Sequence, residues 1–87
     1  MSIFSISQSK TVISANDTDY VDFTGVPEGT TIKIDGVSKG TMDASGTLRI
    51  KATEVGLYDV VFEKTLYRRI TMSFRAIDEY LYDNITG

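Results

Sequence analysis

Tyr58-Asp59-Val60-Val61-Phe62-Glu63 and, a short way on, Arg69-Ile70-Thr71-Met72-Ser73-Phe74-Arg75 decide the fold, because in both runs apolar side chains recur at alternate positions. A β-strand sends successive side chains to opposite faces, so each run has one apolar face. Tyr58, Val60 and Phe62 form the first, and Ile70, Met72 and Phe74 the second; residues 63–66 are expected to join them as a hairpin. The same period recurs upstream. Phe4 and Ile6, Val21 and Phe23, Ile32 and Ile34, and Leu48, Ile50 and Ala52 each alternate with polar residues, and Arg49 and Lys51 make a basic row on the outer side of their strand. The expected core holds Phe23, Ile34, Ile50, Tyr58, Phe62, Ile70 and Phe74.

Turn chemistry separates these runs at intervals of about 8 to 15 residues, the punctuation of an all-β sandwich. Asp35-Gly36 suits the positive φ angles of a tight hairpin, and Asp43-Ala44-Ser45-Gly46 is a second turn. Gly25-Val26-Pro27-Glu28-Gly29 is a loop, since Pro27 has no N–H to give a ladder. After Arg75-Ala76 the alternation stops. Ile77, Tyr80, Leu81 and Ile85 then fall at helical spacing, with Asp78 placed to cap a short helix. The expected organisation is a sandwich over residues 1–76 and a tail over 77–87. So short a helix is marginal alone, which leaves the tail to dock on its own domain, dock on a neighbour, or fray.

With 87 residues the chain has room for one domain, since separate cores need on the order of 100 residues each. Hydrophobic residues at 41% and charged residues at 24% are globular proportions and argue against disorder. There is no Cys and no His, hence no disulfide, thiol nucleophile, imidazole base or nitrogen–sulfur ligand set for zinc. The expectation is a non-enzyme with no cofactor. A formal charge of −3 points away from nucleic acid and anionic membranes as partners. Residues 1–7 lack the basic start and apolar stretch of a signal peptide, and no run approaches the roughly 18 apolar residues of a membrane span. Synthesis in the cytoplasm without export is therefore expected.

Ile13-Ser14-Ala15-Asn16-Asp17-Thr18-Asp19 resembles the first strand of bacterial immunoglobulin-like domains of the invasin and intimin type, which often reads I-x-A-[ND]-x-T-D. The stretch from Pro27 through Ile32-Lys33-Ile34-Asp35-Gly36, with Gly56-Leu57-Tyr58-Asp59-Val60 later, is similar to the PEGA type of small sandwich module. Together the two resemblances cover most of residues 10–76. They imply an immunoglobulin-like β-sandwich of about seven strands. They also give Tyr58 and Gly56 a structural role: a Tyr near the start of the penultimate strand bonds back to the preceding loop, and a Gly two residues earlier permits that corner. Small domains of this kind resemble accessory proteins of tailed bacteriophages, which implies a structural or decoration protein of a tail, baseplate or capsid. The virion would then be its location, and virion subunits or further copies of itself its partners. The alternatives are a module recognising a host-surface glycan or protein, and a small soluble factor binding a host protein.

Candidate site residues follow from composition. Asp17, Asp19 and Asp22 supply oxygen ligands, yet the loop lacks the Gly at position six and the bidentate Glu at position twelve of a helix–loop–helix calcium site, so these acids read first as turn formers. Tyr67, Arg68 and Arg69 place a Tyr and two cations at a hairpin tip, a composition enriched at protein interfaces. Tyr80, Leu81 and Tyr82 concentrate apolar surface in the tail as a second contact candidate. Asn84-Ile85-Thr86 fits the glycosylation acceptor pattern, which has no use without a secretory route.

Overall fold

The two alternating runs become the longest strands. The computed structural model describes residues 2–80 and contains β1 (Ser7–Gln8), β2 (Val12–Ser14), β3 (Val21–Thr24), β4 (Thr31–Ile34), β5 (Val37–Thr41), β6 (Thr47–Ile50), β7 (Gly56–Glu63) and β8 (Ile70–Ile77). These eight strands form two sheets, β1-β3-β6 and β2-β8-β7-β4-β5, in which every pairing is antiparallel except the parallel pair β2–β8. The protein is an all-β sandwich.

The core lies between the inward faces. Phe23 of β3 meets Phe62 of β7 at a ring-centroid distance of 5.6 Å and Phe74 of β8 at 6.5 Å, tying one sheet to the other. Val21, Ile32, Val60 and Ala76 are buried in the same cluster, with Ile13, Val26, Met42, Ile50 and Ala52, and Tyr58 stacks on Phe74 at 5.0 Å. Of the expected core, Phe23, Ile50, Phe62 and Phe74 are buried, whereas Ile34, Tyr58 and Ile70 are only half-buried and pack against its margin. Ile34 and Ile70 are terminal residues of their strands and Tyr58 is third in its own, so each sits toward the margin of the core.

The alternation rule misplaces several elements. Phe4 and Ile6 are half-buried and alternate as expected, but the ladder begins only at Ser7: before it the described segment makes a single bridge, Ser2 to Tyr67. Strand β6 ends at Ile50, so Lys51 and buried Ala52 lie beyond it. Strands β2 and β5 carry no period of two. Ile13 and Ser14 are both buried in β2, while every residue of β5 is exposed, so it is held by its ladder to β4 and by the turn before it. That turn has Asp35 at φ 51° and Gly36 at φ 83°, positive at both central positions as a two-residue hairpin requires. The β7–β8 connection occupies residues 64–69 and is longer than the expected hairpin. Asp78 accepts a 2.9 Å bond from the Tyr80 N–H, and Glu79 and Tyr80 are helical. The expectations for Leu81, Tyr82 and Asn84-Ile85-Thr86 lie outside the described residues.

Candidate functional site

Strands β7 and β8 bring together the hairpin-tip residues. The Tyr67 N–H donates to the Lys64 carbonyl at 2.9 Å, closing a four-residue turn in which Leu66 sits third with φ 69°. Only that central residue has positive φ, the type II pattern, whose third position normally takes Gly or Asn. Leu66 is nevertheless 79% exposed. The N-terminal segment buttresses the turn from behind. Ser2 donates to the Leu66 carbonyl at 2.8 Å and accepts from the Arg68 N–H at 2.9 Å, and the Phe4 ring lies 4.8 Å from that of Tyr67.

Beside the turn is an open cleft of about 540 Å³ lined by Thr31, Glu63, Lys64, Thr65, Tyr67 and Arg69. Glu63 organises it, with its carboxylate 3.0 Å from the Lys33 ammonium and 3.4 Å from the Arg69 guanidinium. The Lys33 hydrogen bond, opposed by some burial and helped by Arg69, holds the Glu63 pKa below its ordinary value. Lys64 Nζ donates to the Glu28 carbonyl at 3.0 Å. Arg68 forms no ion pair among the described residues. The tip thus presents an aliphatic knob, a half-buried Tyr and three cations around one carboxylate already committed to two partners. Sequence reasoning picked out Tyr67, Arg68 and Arg69 but not Leu66 as the exposed knob. The available signal was an aliphatic residue in a turn with no Gly or Asn to take the positive φ.

The three aspartates are dispersed. Asp19 accepts from Lys10 at 2.6 Å and from the N–H groups of Ser14 and Tyr20 at 2.9 Å each. Burial pushes its pKa up, and these donors outweigh that and hold it below the ordinary carboxylate value. Asp22 forms a two-pronged pair with Arg49 at 2.9 and 3.0 Å, whose guanidinium lies 3.8 Å from the Tyr20 ring centre. Asp17 sits in an exposed bend at φ 59°. Asp19 and Asp22 are therefore spent on the protein's own cations, and among the described residues no group of three acidic, His or Cys side chains is arranged to hold a metal ion.

Tyr58 donates its hydroxyl to the Glu54 carbonyl at 2.7 Å, bracing the loop that precedes Gly56 and β7. Tyr80 lies at the far end of β8 from the tip, so it does not share a surface with Tyr67, Arg68 and Arg69. Edge strand β5 is a poor docking template, because Lys39 and the positive-φ Gly40 stand where its register against β4 shifts. No protein-family model, curated protein or solved structure matches the chain.

Proposed function

We propose that the chain is a non-enzymatic, immunoglobulin-like module that docks on protein subunits of a larger assembly through the β7–β8 hairpin tip, with a tailed-phage virion as its setting. The observation that carries the docking role is Leu66. Its backbone conformation disfavours an aliphatic residue and its exposure gains nothing in water, so a contact with another molecule is what makes the residue useful. Arg68 and Arg69 beside it suit a protein surface, where Arg and aromatic residues concentrate binding energy.

Strand order supports the immunoglobulin-like part. Strands β3 and β6 stand where strands B and E of such domains stand, and β4, β7 and β8 stand in the C, F and G positions. The first strand divides between the sheets, β1 on β3 and β2 on β8, and the Tyr58–Glu54 bond has the form of a tyrosine corner. The virion setting rests on the resemblance of the sequence to phage accessory modules. Glycan recognition has less support, because Tyr67 is half-buried against Phe4 rather than offered as a stacking platform.

Mass spectrometry of purified particles tests the setting: stoichiometric copies are expected, and absence overturns it in favour of a soluble factor. Adding purified chain to particles that lack it tests the docking role. Wild-type protein is expected to bind and the Arg68→Glu/Arg69→Glu variant, folded by circular dichroism, to fail. Equal binding by both removes the tip from the role.

A further inference from the structure

Strands β7 and β8 run antiparallel over eight residues each, so Glu63 and Ile70 mark one end of the sandwich and Gly56 and Ile77 the other, about 23 Å away at strand rise. The two ends differ in charge. At the Gly56 end the chain gathers Asp17, Asp35, Glu54, Asp59, Asp78 and Glu79, with Lys51 and Arg75 as the nearby cations. Backbone bonds place these groups together: Asp17 N–H to the Ala52 carbonyl, Asp35 N–H to the Asp59 carbonyl, and Gly56 opposite Ala76. The negative field there reaches the Tyr58 hydroxyl, whose pKa is raised first by burial and then by Glu54 and Asp35. Around the hairpin tip Lys33, Lys64, Arg68 and Arg69 stand with Glu63 and with Glu28, whose carbonyl accepts from Lys64, so cations are in excess there. The separation exceeds two Debye lengths at physiological salt, about 8 Å each, so the ends do not cancel one another.

Exposed aliphatic side chains follow the same division. Ile3 (74%) and Leu66 (79%) lie at the basic end, joined through the Ser2 bridge to Tyr67, and Val55 (65%) and Leu57 (58%) at the acidic end. Each end is therefore an apolar pair set among an excess of one sign of charge, and the two excesses are opposite.

We propose that copies of this chain associate head to tail, the Leu66 tip of one docking on the Val55–Leu57 end of the next. This names the partner for the tip and so rests on the docking role above. Such an interface is heterologous. It leaves one free tip and one free acidic end on every oligomer, so growth continues to a filament or closes into a ring. A contact limited to the ends of a small sandwich falls in the low size class, which makes the association weak, reversible and dependent on high local concentration.

Sedimentation velocity on the full chain tests this with two charge-reversed variants. Arg68→Glu/Arg69→Glu reverses the tip, and Glu54→Lys/Asp59→Lys removes the negative excess at the other end. Wild-type protein at low ionic strength is expected to grow beyond dimer with concentration and to return to monomer at about 1 M salt, where the Debye length is about 3 Å. Each variant alone should remain monomeric. Mixed in equal amounts they should associate again, because the intact basic tip of one variant meets the intact acidic end of the other. A monomeric wild type, a variant that still assembles, or a mixture that stays monomeric overturns the proposal. Leu66→Asn guards against a misfolded variant: it should keep the fold and weaken association at least several-fold, and undiminished association is equally fatal. Monomeric wild-type protein whose binding to particles still needs Arg68 and Arg69 would sink self-association and leave the docking role intact.

Discussion

Leu66 pays a conformational cost that a different residue would avoid. A left-handed conformation costs an L-residue roughly 1–2 kcal/mol, and Asn tolerates it better than a branched aliphatic. Leu66→Asn is accordingly expected to raise stability by about 1 kcal/mol, which for a domain of this size is roughly 4–8 °C in the melting midpoint. A lowered midpoint in a thermal scan would show that Leu66 packs on its own chain. Gly25 poses the opposite constraint. At φ 79° an added Cβ would lie 2.8 Å from the Ser5 carbonyl oxygen, a backbone atom that cannot swing aside. Gly25→Ala should therefore destabilise by at least about 1–3 kcal/mol and loosen the segment that carries Phe4 to Tyr67. Phe62 is fully buried between Phe4 and Phe23. Truncating it to Ala is expected to cost about 3–5 kcal/mol, enough to leave a small domain largely unfolded at room temperature; a loss under about 1 kcal/mol would contradict its placement.

At the scale of elements, cohesion falls from β7 and β8 outward to β5. Strand β5 has no buried residue and one neighbour, so its order depends on the ladder to β4 and on the Asp35-Gly36 turn. The Asp35 carboxylate also accepts the Asp59 N–H at 2.9 Å, anchoring the turn to β7. Gly36→Ala, placed at φ 83° in open space, is expected to cost about 1 kcal/mol and to act locally. Amide exchange should quicken from Val37 to Thr41 and stay slow in β7 and β8; uniform acceleration would make β5 part of the cooperative core. This contrast also explains what was legible in the sequence. Strands β3, β4, β6, β7 and β8 bury one face, so composition at alternate positions records them. Strand β5 buries neither face and β2 is too short to show a period, so both are products of tertiary pairing. The hairpin tip was half legible. Arg68, Arg69 and Tyr67 stood out by residue type, whereas the exposure of Leu66 and the pairing of Glu63 with Lys33 depend on where β4 and the N-terminal segment come to lie.

Across the whole molecule, ionisation ties the strands together and sets the pH range in which the sandwich is stable. Asp22–Arg49 links β3 to β6, Glu63 links β7 to β4 and to Arg69 beside β8, and Asp19 gathers Lys10 with the backbone of Ser14 and Tyr20. All three carboxylates have folded pKa values below their unfolded ones: Asp22 through the Arg49 bond, Glu63 through Lys33, and Asp19 because its donors outweigh burial. In the unfolded chain such groups take up protons near pH 4, so their stabilisation is complete above that range and is lost as pH falls through the lower folded values. Tyr58 works in the other direction. Burial, then Glu54 and Asp35, raise its folded pKa, so its contribution is complete below about pH 10, the unfolded value, and is lost as pH rises through the folded one. The two limbs are separable by substitution. Asp19→Asn should lower stability at neutral pH by about 1–3 kcal/mol, since hydrogen bonds to a charged group are lost, and should make the acid limb shallower while leaving the alkaline limb unchanged. Tyr58→Phe removes the bond to the Glu54 carbonyl, with an expected cost of about 1 kcal/mol at neutral pH. It should also make the alkaline limb shallower and leave the acid limb as it was. Urea denaturation midpoints measured from about pH 2 to pH 11 give both curves, and an Asp19→Asn profile parallel to wild type throughout would show that Asp19 is not a source of the acid sensitivity.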